Sequence, residues 1–229
     1  MKVDFDKLEQ VIDERADIRL VFLTSPNNPT GDLVGQSQLE AVLKICEGKA
    51  LVVLDEAYIE FCDAESAIGL IGRYPHLVVL RTLSKAWAAA GVRCGIVIAN
   101  PDVIGLLKRV IPPYPLATMA IDTALQAISR DAVIRQQEFV ERVRQQKADL
   151  LGFLLNCGWV REVIPGEANF ILLRVPDADA LVALCAGRGI RIRNFTSQAQ
   201  LEGCVRLTIG SADEMAALKL ALQAYGEQA

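Results

Sequence analysis

Three side chains have types and spacing suited to one kind of chemistry. Lys85 lies in Arg81-Thr82-Leu83-Ser84-Lys85-Ala86, Arg93 follows eight residues later, and Asp55 precedes it by thirty in Leu54-Asp55-Glu56-Ala57-Tyr58. An amine can take an aldehyde, a carboxylate can hold the proton of a ring nitrogen, and a guanidinium can bind a phosphate. Together these groups are what a protein needs to hold pyridoxal phosphate. A Ser-Lys pair alone means little. The upstream run Ser25-Pro26-Asn27-Asn28-Pro29-Thr30-Gly31 makes the arrangement specific.

Each residue also has an ordinary structural explanation. A single lysine is most often a surface residue, and an aspartate at a strand end often only caps a turn or helix. Asp55, however, directly follows five apolar residues, so its carboxylate is partly desolvated and needs a cation, which a protonated pyridine nitrogen supplies. Ser84 and Arg93 are spaced to approach one phosphate. Tyr58 either packs or donates its hydroxyl to a phenolic oxygen, with the Asn28 amide as a second donor. Asn27-Asn28-Pro29 is also a good turn sequence by itself. Arg206, in Val205-Arg206-Leu207-Thr208-Ile209, points away from the apolar face of its strand. It is either a solvated edge residue or a guanidinium fork for a carboxylate or phosphate, and Arg193 is a second candidate for that task.

The elements that must position these groups read as an α/β sheet. Leu20–Thr24, Ala50–Leu54, Leu77–Leu80 and Gly95–Ala99 are continuous apolar runs, expected as strands buried on both faces. Between the first two, Ser37 with Glu40 predicts a capping box, and Leu39, Val42, Leu43 and Cys46 form a helical stripe that Gly48 ends. Asn28, Asp55 and Ser84-Lys85 each fall just past the C-terminal end of such a run, where open α/β sheets place ligands. After Pro101 the pattern predicts helices over 102–110 and 117–129, separated by the prolines of Ile111-Pro112-Pro113-Tyr114-Pro115, a hinge or domain crossover. One long helix follows over 131–155. Strands at 159–164 and 168–173, a helix at 178–187, short strands at 190–193 and 205–209 and a last helix opened by a Ser211–Glu214 capping box complete a small α+β domain.

Composition excludes several classes. The chain has 229 residues, 52% hydrophobic and 23% charged, enough to bury a sizeable core. A net charge of −4 with dispersed cations argues against a nucleic-acid partner. No apolar run reaches bilayer length and the opening residues are too charged for a secretory segment, so a membrane is not expected and the cytosol is the expected location. The six cysteines are scattered, without Cys-x-x-Cys, and read as buried thiols; His76 is the only histidine. Both facts argue against a metal site.

The motifs Ser25–Gly31, Asp55–Phe61, Arg81–Ala86 and Gly91-Val92-Arg93-Cys94-Gly95, with Ala168-Asn169-Phe170-Ile171 and Val205–Gly210, resemble the fold type I, class II pyridoxal-phosphate aminotransferases, and within them the histidinol-phosphate aminotransferase family. Val92 stands where the family more often has Leu or Ile. The resemblance implies an incomplete large domain with a predominantly parallel sheet over residues 1–115. It implies a small C-terminal α+β domain, with the long linking helix, over 116–229. It makes Lys85 the lysine that carries pyridoxal 5'-phosphate, Asp55 the pyridinium partner, and Tyr58 and Asn28 the groups on the phenolic oxygen. Ser84 and Arg93 would hold the phosphate, and Arg206 with Arg193 the anionic end of the substrate. The implied reaction moves an amino group between L-histidinol phosphate and 2-oxoglutarate, in histidine biosynthesis, in a homodimer. A threonine-phosphate decarboxylase and an aromatic aminotransferase share these motifs.

By the family pattern a further segment precedes the Ser-Pro-Asn-Asn-Pro motif, supplying early strands, phosphate-binding amides and an aromatic residue on the pyridine ring. This chain begins some two dozen residues before the motif. The expectation is an N-terminally shortened chain with an open sheet edge and impaired activity, or a non-catalytic remnant that folds without cofactor.

Overall fold

β-branched and leucine runs with little polar interruption form the strands that carry the chemical residues, and the computed structural model describes residues 3–228. Two compact units divide the chain: Met1–Pro26 with Asp32–Gln137, and Asn27–Gly31 with Glu138–Ala229.

In the first unit, α1 (Phe5–Glu14) precedes β1 (Leu20–Thr24), α2 (Gln36–Cys46), β2 (Leu51–Asp55), β3 (Leu77–Thr82) and β4 (Gly95–Ala99). The sheet order is β1-β2-β3-β4; the first three strands are parallel and β4 is antiparallel to β3. Val21, Leu23, Val52, Leu54, Leu77 and Val79 share a core with Leu39, Val42, Leu43 and Cys46 of α2. Leu43, Val42 and Cys46 are wholly buried, each apolar side chain of this kind contributing about 1.5–3 kcal/mol. Burial on both faces holds for Val52, Val53 and Leu54 of β2 and Leu77, Val78 and Val79 of β3. It does not hold for the flanking strands. β1 alternates, leaving Leu20 and Phe22 exposed, and Ile96 and Val97 of β4 are exposed. A strand with one neighbour depends on other elements to cover its second face, and its own composition does not say whether they are there.

The capping box of α2 is also placed differently from the sequence expectation. The N-cap is Gly35 rather than Ser37, and the Gln38 side chain accepts from the Gly35 N–H at 3.1 Å. Helices α3 (Pro101–Val110) and α4 (Thr118–Ala127) follow, separated by the proline segment, and neither has a buried residue among those described. Helix α5 (Arg130–Leu155) passes the boundary between the units at Gln137–Glu138.

The second unit holds an antiparallel sheet in the order β5-β6-β8-β7: β5 (Glu162–Ile164), β6 (Phe170–Arg174), β7 (Arg193–Asn194) and β8 (Cys204–Thr208). Phe170 to Leu173 are all buried, as are Leu181 and Cys185 of α6 (Ala178–Gly187) and Leu218 and Leu222 of α7 (Ala212–Gly226). Ser211 caps α7 with the expected box, completed by Glu214. Tyr225 closes the unit: its hydroxyl donates to the Asp177 carbonyl at 3.0 Å and its ring meets Trp159 edge-on at 4.9 Å.

Candidate functional site

The parallel register Thr24↔Asp55 and Asp55↔Leu80 brings the chain out of β1, β2 and β3 at one edge of the sheet. Asp55 is the last residue of β2, and its Oδ1 accepts from the Ala57 N–H at 2.9 Å, turning the chain toward Tyr58. A 3-10 turn over Ile59–Phe61 then holds the Tyr58 backbone, and the tyrosine is buried.

Lys85 lies in a closed loop after β3. Its carbonyl accepts from Ala88 N–H at 3.0 Å, Leu83 O accepts from Ala89 N–H at 3.0 Å, and Ala88 takes a left-handed φ of 50°. The Lys85 Nζ stands 5.3 Å from the Tyr58 ring centroid, so the amine and the phenol meet, a cation–π arrangement. Ser84 is tied to Thr82 in both directions: the Thr82 hydroxyl donates to Ser84 Oγ at 2.9 Å, and Ser84 N–H donates to Thr82 Oγ1 at 3.1 Å. Arg93 is exposed at a φ of 57°, with Nη1 donating to the Ala90 carbonyl at 3.1 Å. No hydrogen bond joins Ser84 to Arg93 among the described contacts.

The second unit carries the remaining candidates. Arg206 Nη1 donates to Asn28 Oδ1 at 2.6 Å, although 178 residues separate them. The guanidinium lies 4.8 Å from the Phe170 ring and 5.8 Å from that of Phe195. Arg193 on β7 is directly opposite Arg206 on β8. Two like charges facing each other across a strand pair repel unless an anion lies near them. Asn28 is carried by a segment seated on this unit through two glycines. Gly31 O accepts from Glu167 N–H at 2.8 Å, and Gly31 and Gly166 both have positive φ, +73° and +53°. A Cβ on Gly166 would lie 2.5 Å from Thr30 O and 2.6 Å from Gly31 Cα, so the approach needs glycine on both sides. Lys147 supports the same turn, its Nζ donating to the carbonyls of Gly166 and Ala168 at 2.7 Å each.

Sequence reasoning missed a polar cluster behind Lys85 and Asp55. Glu56 is fully buried and accepts from Ser66 Oγ at 2.6 Å and Ala67 N–H at 2.7 Å. Arg81 on β3 pairs with Glu56 at 3.4 Å and with Glu60 at 2.8 Å. A charged residue at each of two adjacent strand ends was the available signal, since buried charges come in pairs. Among the described residues no group of three His, Cys, Asp or Glu side chains is arranged to hold a metal, and no helix is long and apolar enough to cross a membrane.

A sheet with three parallel strands and the lysine, aspartate and tyrosine at their C-terminal ends, joined in sequence to a small antiparallel α+β unit, places the chain in the α/β class with its candidate site where such sheets bind ligands. The model of the family described as aminotransferase class I and II matches residues 1–222, and the chain belongs to that family, which depends on pyridoxal phosphate. The histidinol-phosphate aminotransferase of Aeromonas hydrophila subsp. hydrophila is 44% identical over 213 residues, covering 93% of this chain and 60% of that relative. The chain thus spans about three fifths of the length of the curated relatives it matches. Among solved structures, the histidinol-phosphate aminotransferase from Clostridium acetobutylicum matches with a TM-score of 0.91 at 24% identity, covering 100% of this chain and 69% of that one. The enzyme of that name from Sinorhizobium meliloti, solved with pyridoxal-5'-phosphate, matches at 0.85 and 24%, covering 98% and 61%.

Proposed function

We propose that this chain carries the lysine-bearing part of an aminotransferase that moves an amino group between L-histidinol phosphate and 2-oxoglutarate, giving imidazole acetol phosphate and glutamate. The observation that carries the reading is the 44% identity over 93% of the chain. The side chains present fit the cofactor in kind: an amine beside a phenol, a carboxylate at the neighbouring strand end, and a hydroxyl next to the amine.

Pyridoxal phosphate, when bound, supplies an aldehyde for an amine and a pyridinium ring that withdraws electrons from the substrate carbon. Lys85 would provide the holding amine, and an amine at that position could take and return the proton of the substrate carbon, a service worth about 10²–10⁴ in rate. Asp55 would keep a proton on the ring nitrogen, its carboxylate being oriented by the Ala57 N–H that donates to Oδ1. Tyr58 donates to the phenolic oxygen. Asn28 does the same through Nδ2, because Arg206 holds its Oδ1 and so orients the amide. Ser84 and Arg93 would hold the phosphate. Arg206 and Arg193 bind the anionic end of each substrate, which also relieves the repulsion between them.

Residues 1–115 are read as part of the large cofactor domain, supported by the mostly parallel sheet in that stretch, and 116–229 as the small domain, supported by the antiparallel one. A cytoplasmic homodimer completes the reading.

The test mixes the purified chain with pyridoxal phosphate. The expected result is a visible absorption band that Lys85→Ala removes, followed by amino transfer from histidinol phosphate to 2-oxoglutarate. Absence of the band at millimolar cofactor, or release of CO₂ from threonine phosphate in place of transfer, overturns the proposal.

A further inference from the structure

The ladder between β2 and β3 ends where the chemistry begins. The last backbone bond joining them is Glu56 N–H to Leu80 O at 2.9 Å, and beyond it two loops leave the sheet, one with Tyr58 and the other with Lys85. What joins the loops is a set of side chains. Arg81, four residues before Lys85, sends Nη1 to Glu56 and Nη2 to Glu60, which bracket Tyr58 in sequence. Trp87, two residues after Lys85, brings its Nε1 to within 3.4 Å of the same Glu60 oxygen that Arg81 holds at 2.8 Å. Glu60 Oε1 is therefore shared by the strand before Lys85 and the loop after it.

We infer that Arg81 and Glu60 act as positioning residues, tying the Tyr58 loop to the Lys85 loop and so setting the amine against the phenol. The inference rests on the cofactor role of Lys85 proposed above. Three features argue for more than a stabilising ion pair. Arg81 is mostly buried, with 21% of its side chain exposed, and its Nε is buried without a partner. Burying a guanidinium with a donor unsatisfied is unfavourable, and an apolar pair of similar volume would be as stable or more so. Arginine is also the one side chain whose rigid fork reaches two carboxylates at once. Finally, both acids it grips lie within two residues of Tyr58, and Tyr58 is what Lys85 Nζ meets.

The experiment compares wild type, Arg81→Lys and Glu60→Gln, each with pyridoxal phosphate. It reads the rate at which the Lys85-dependent visible band grows and the pH midpoint of that band. Lysine keeps the charge but loses the fork. Glutamine keeps the shape and leaves the Glu56–Arg81 pair in place, so if Arg81→Lys fails to fold, Glu60→Gln decides alone. With circular dichroism unchanged, the expected result is band growth slowed roughly ten- to a hundredfold, the scale on which a misplacement of about 1 Å acts. A displaced pH midpoint is expected with it, because the field of the phenol at the amine changes. A merely structural pair would lower the melting temperature and leave both readouts where they are. If either readout is unmoved in Glu60→Gln, the inference is overturned. If wild type forms no band that Lys85→Ala removes, the cofactor reading fails first and this inference falls with it.

Discussion

Replacing Gly166 by alanine tests how Asn28 comes to be seated on the second unit. The new Cβ would stand 2.5 Å from Thr30 O and 2.6 Å from Gly31 Cα, whereas ordinary carbon–oxygen contacts lie at about 3.3–3.6 Å. The obstructing atoms are backbone, so nothing can swing aside and the segment must move by close to an ångström. Holding alanine at a φ of +53° adds about 1–2 kcal/mol, and overpacking of this kind adds about 1–3 kcal/mol. The expected loss is about 2–5 kcal/mol, measured by urea unfolding. Gly158→Ala is the control: no heavy atom lies within 4 Å of its added Cβ, and its φ is not positive. The Glu167 amide, which donates to Gly31 O at 2.8 Å, should exchange hydrogen faster in Gly166→Ala. A loss under about 0.5 kcal/mol, the scale of neutral surface changes, with unaltered exchange at Glu167, would refute the reasoning.

Other expectations can be checked singly. The Ser211 backbone N–H at 2.7 Å, with the Ser211 hydroxyl adding to it, holds the Glu214 carboxyl below its usual range. That contribution to stability is complete above the unfolded value of about 4.3 and is lost as pH falls through the lower folded value. Ser211→Ala should cost about 1 kcal/mol and raise the Glu214 pKa partway, seen by carbon NMR titration; no rise would contradict the capping geometry. Burial pushes the Cys46, Cys185 and Cys204 thiols up, so a thiol reagent at pH 8 should label them only after unfolding, as mapped by mass spectrometry. Lys147→Ala removes two charge-assisted bonds to Gly166 and Ala168 and should cost roughly 2–3 kcal/mol in denaturant unfolding.

The candidate residues stand out in the sequence because their types are unusual where they stand: a carboxylate after five apolar residues, a Ser-Lys pair after a strand, an arginine in an alternating strand. The helix over 178–187 and the Ser211–Glu214 cap were equally legible, since both depend on neighbours within four residues. Ser37 misled because a serine followed by Glu40 satisfies the local rule, while the chain already turns into the helix at Gly35.

Tertiary structure decided what depends on partners far away in the chain. The exposure of Leu20 and Phe22, the antiparallel direction of β4 and the closure of Arg81 onto Glu56 and Glu60 follow from which elements lie alongside. Asn28 shows the division most plainly. Its sequence reads as a turn, yet its partner Arg206 is 178 residues away, and the glycine contact that seats its segment joins Gly31 to Gly166. Periodicity and capping act over a few residues of one chain segment, so they specify elements and candidate chemistry. The meeting of two distant segments is set by shape and backbone clearance, which no local pattern encodes.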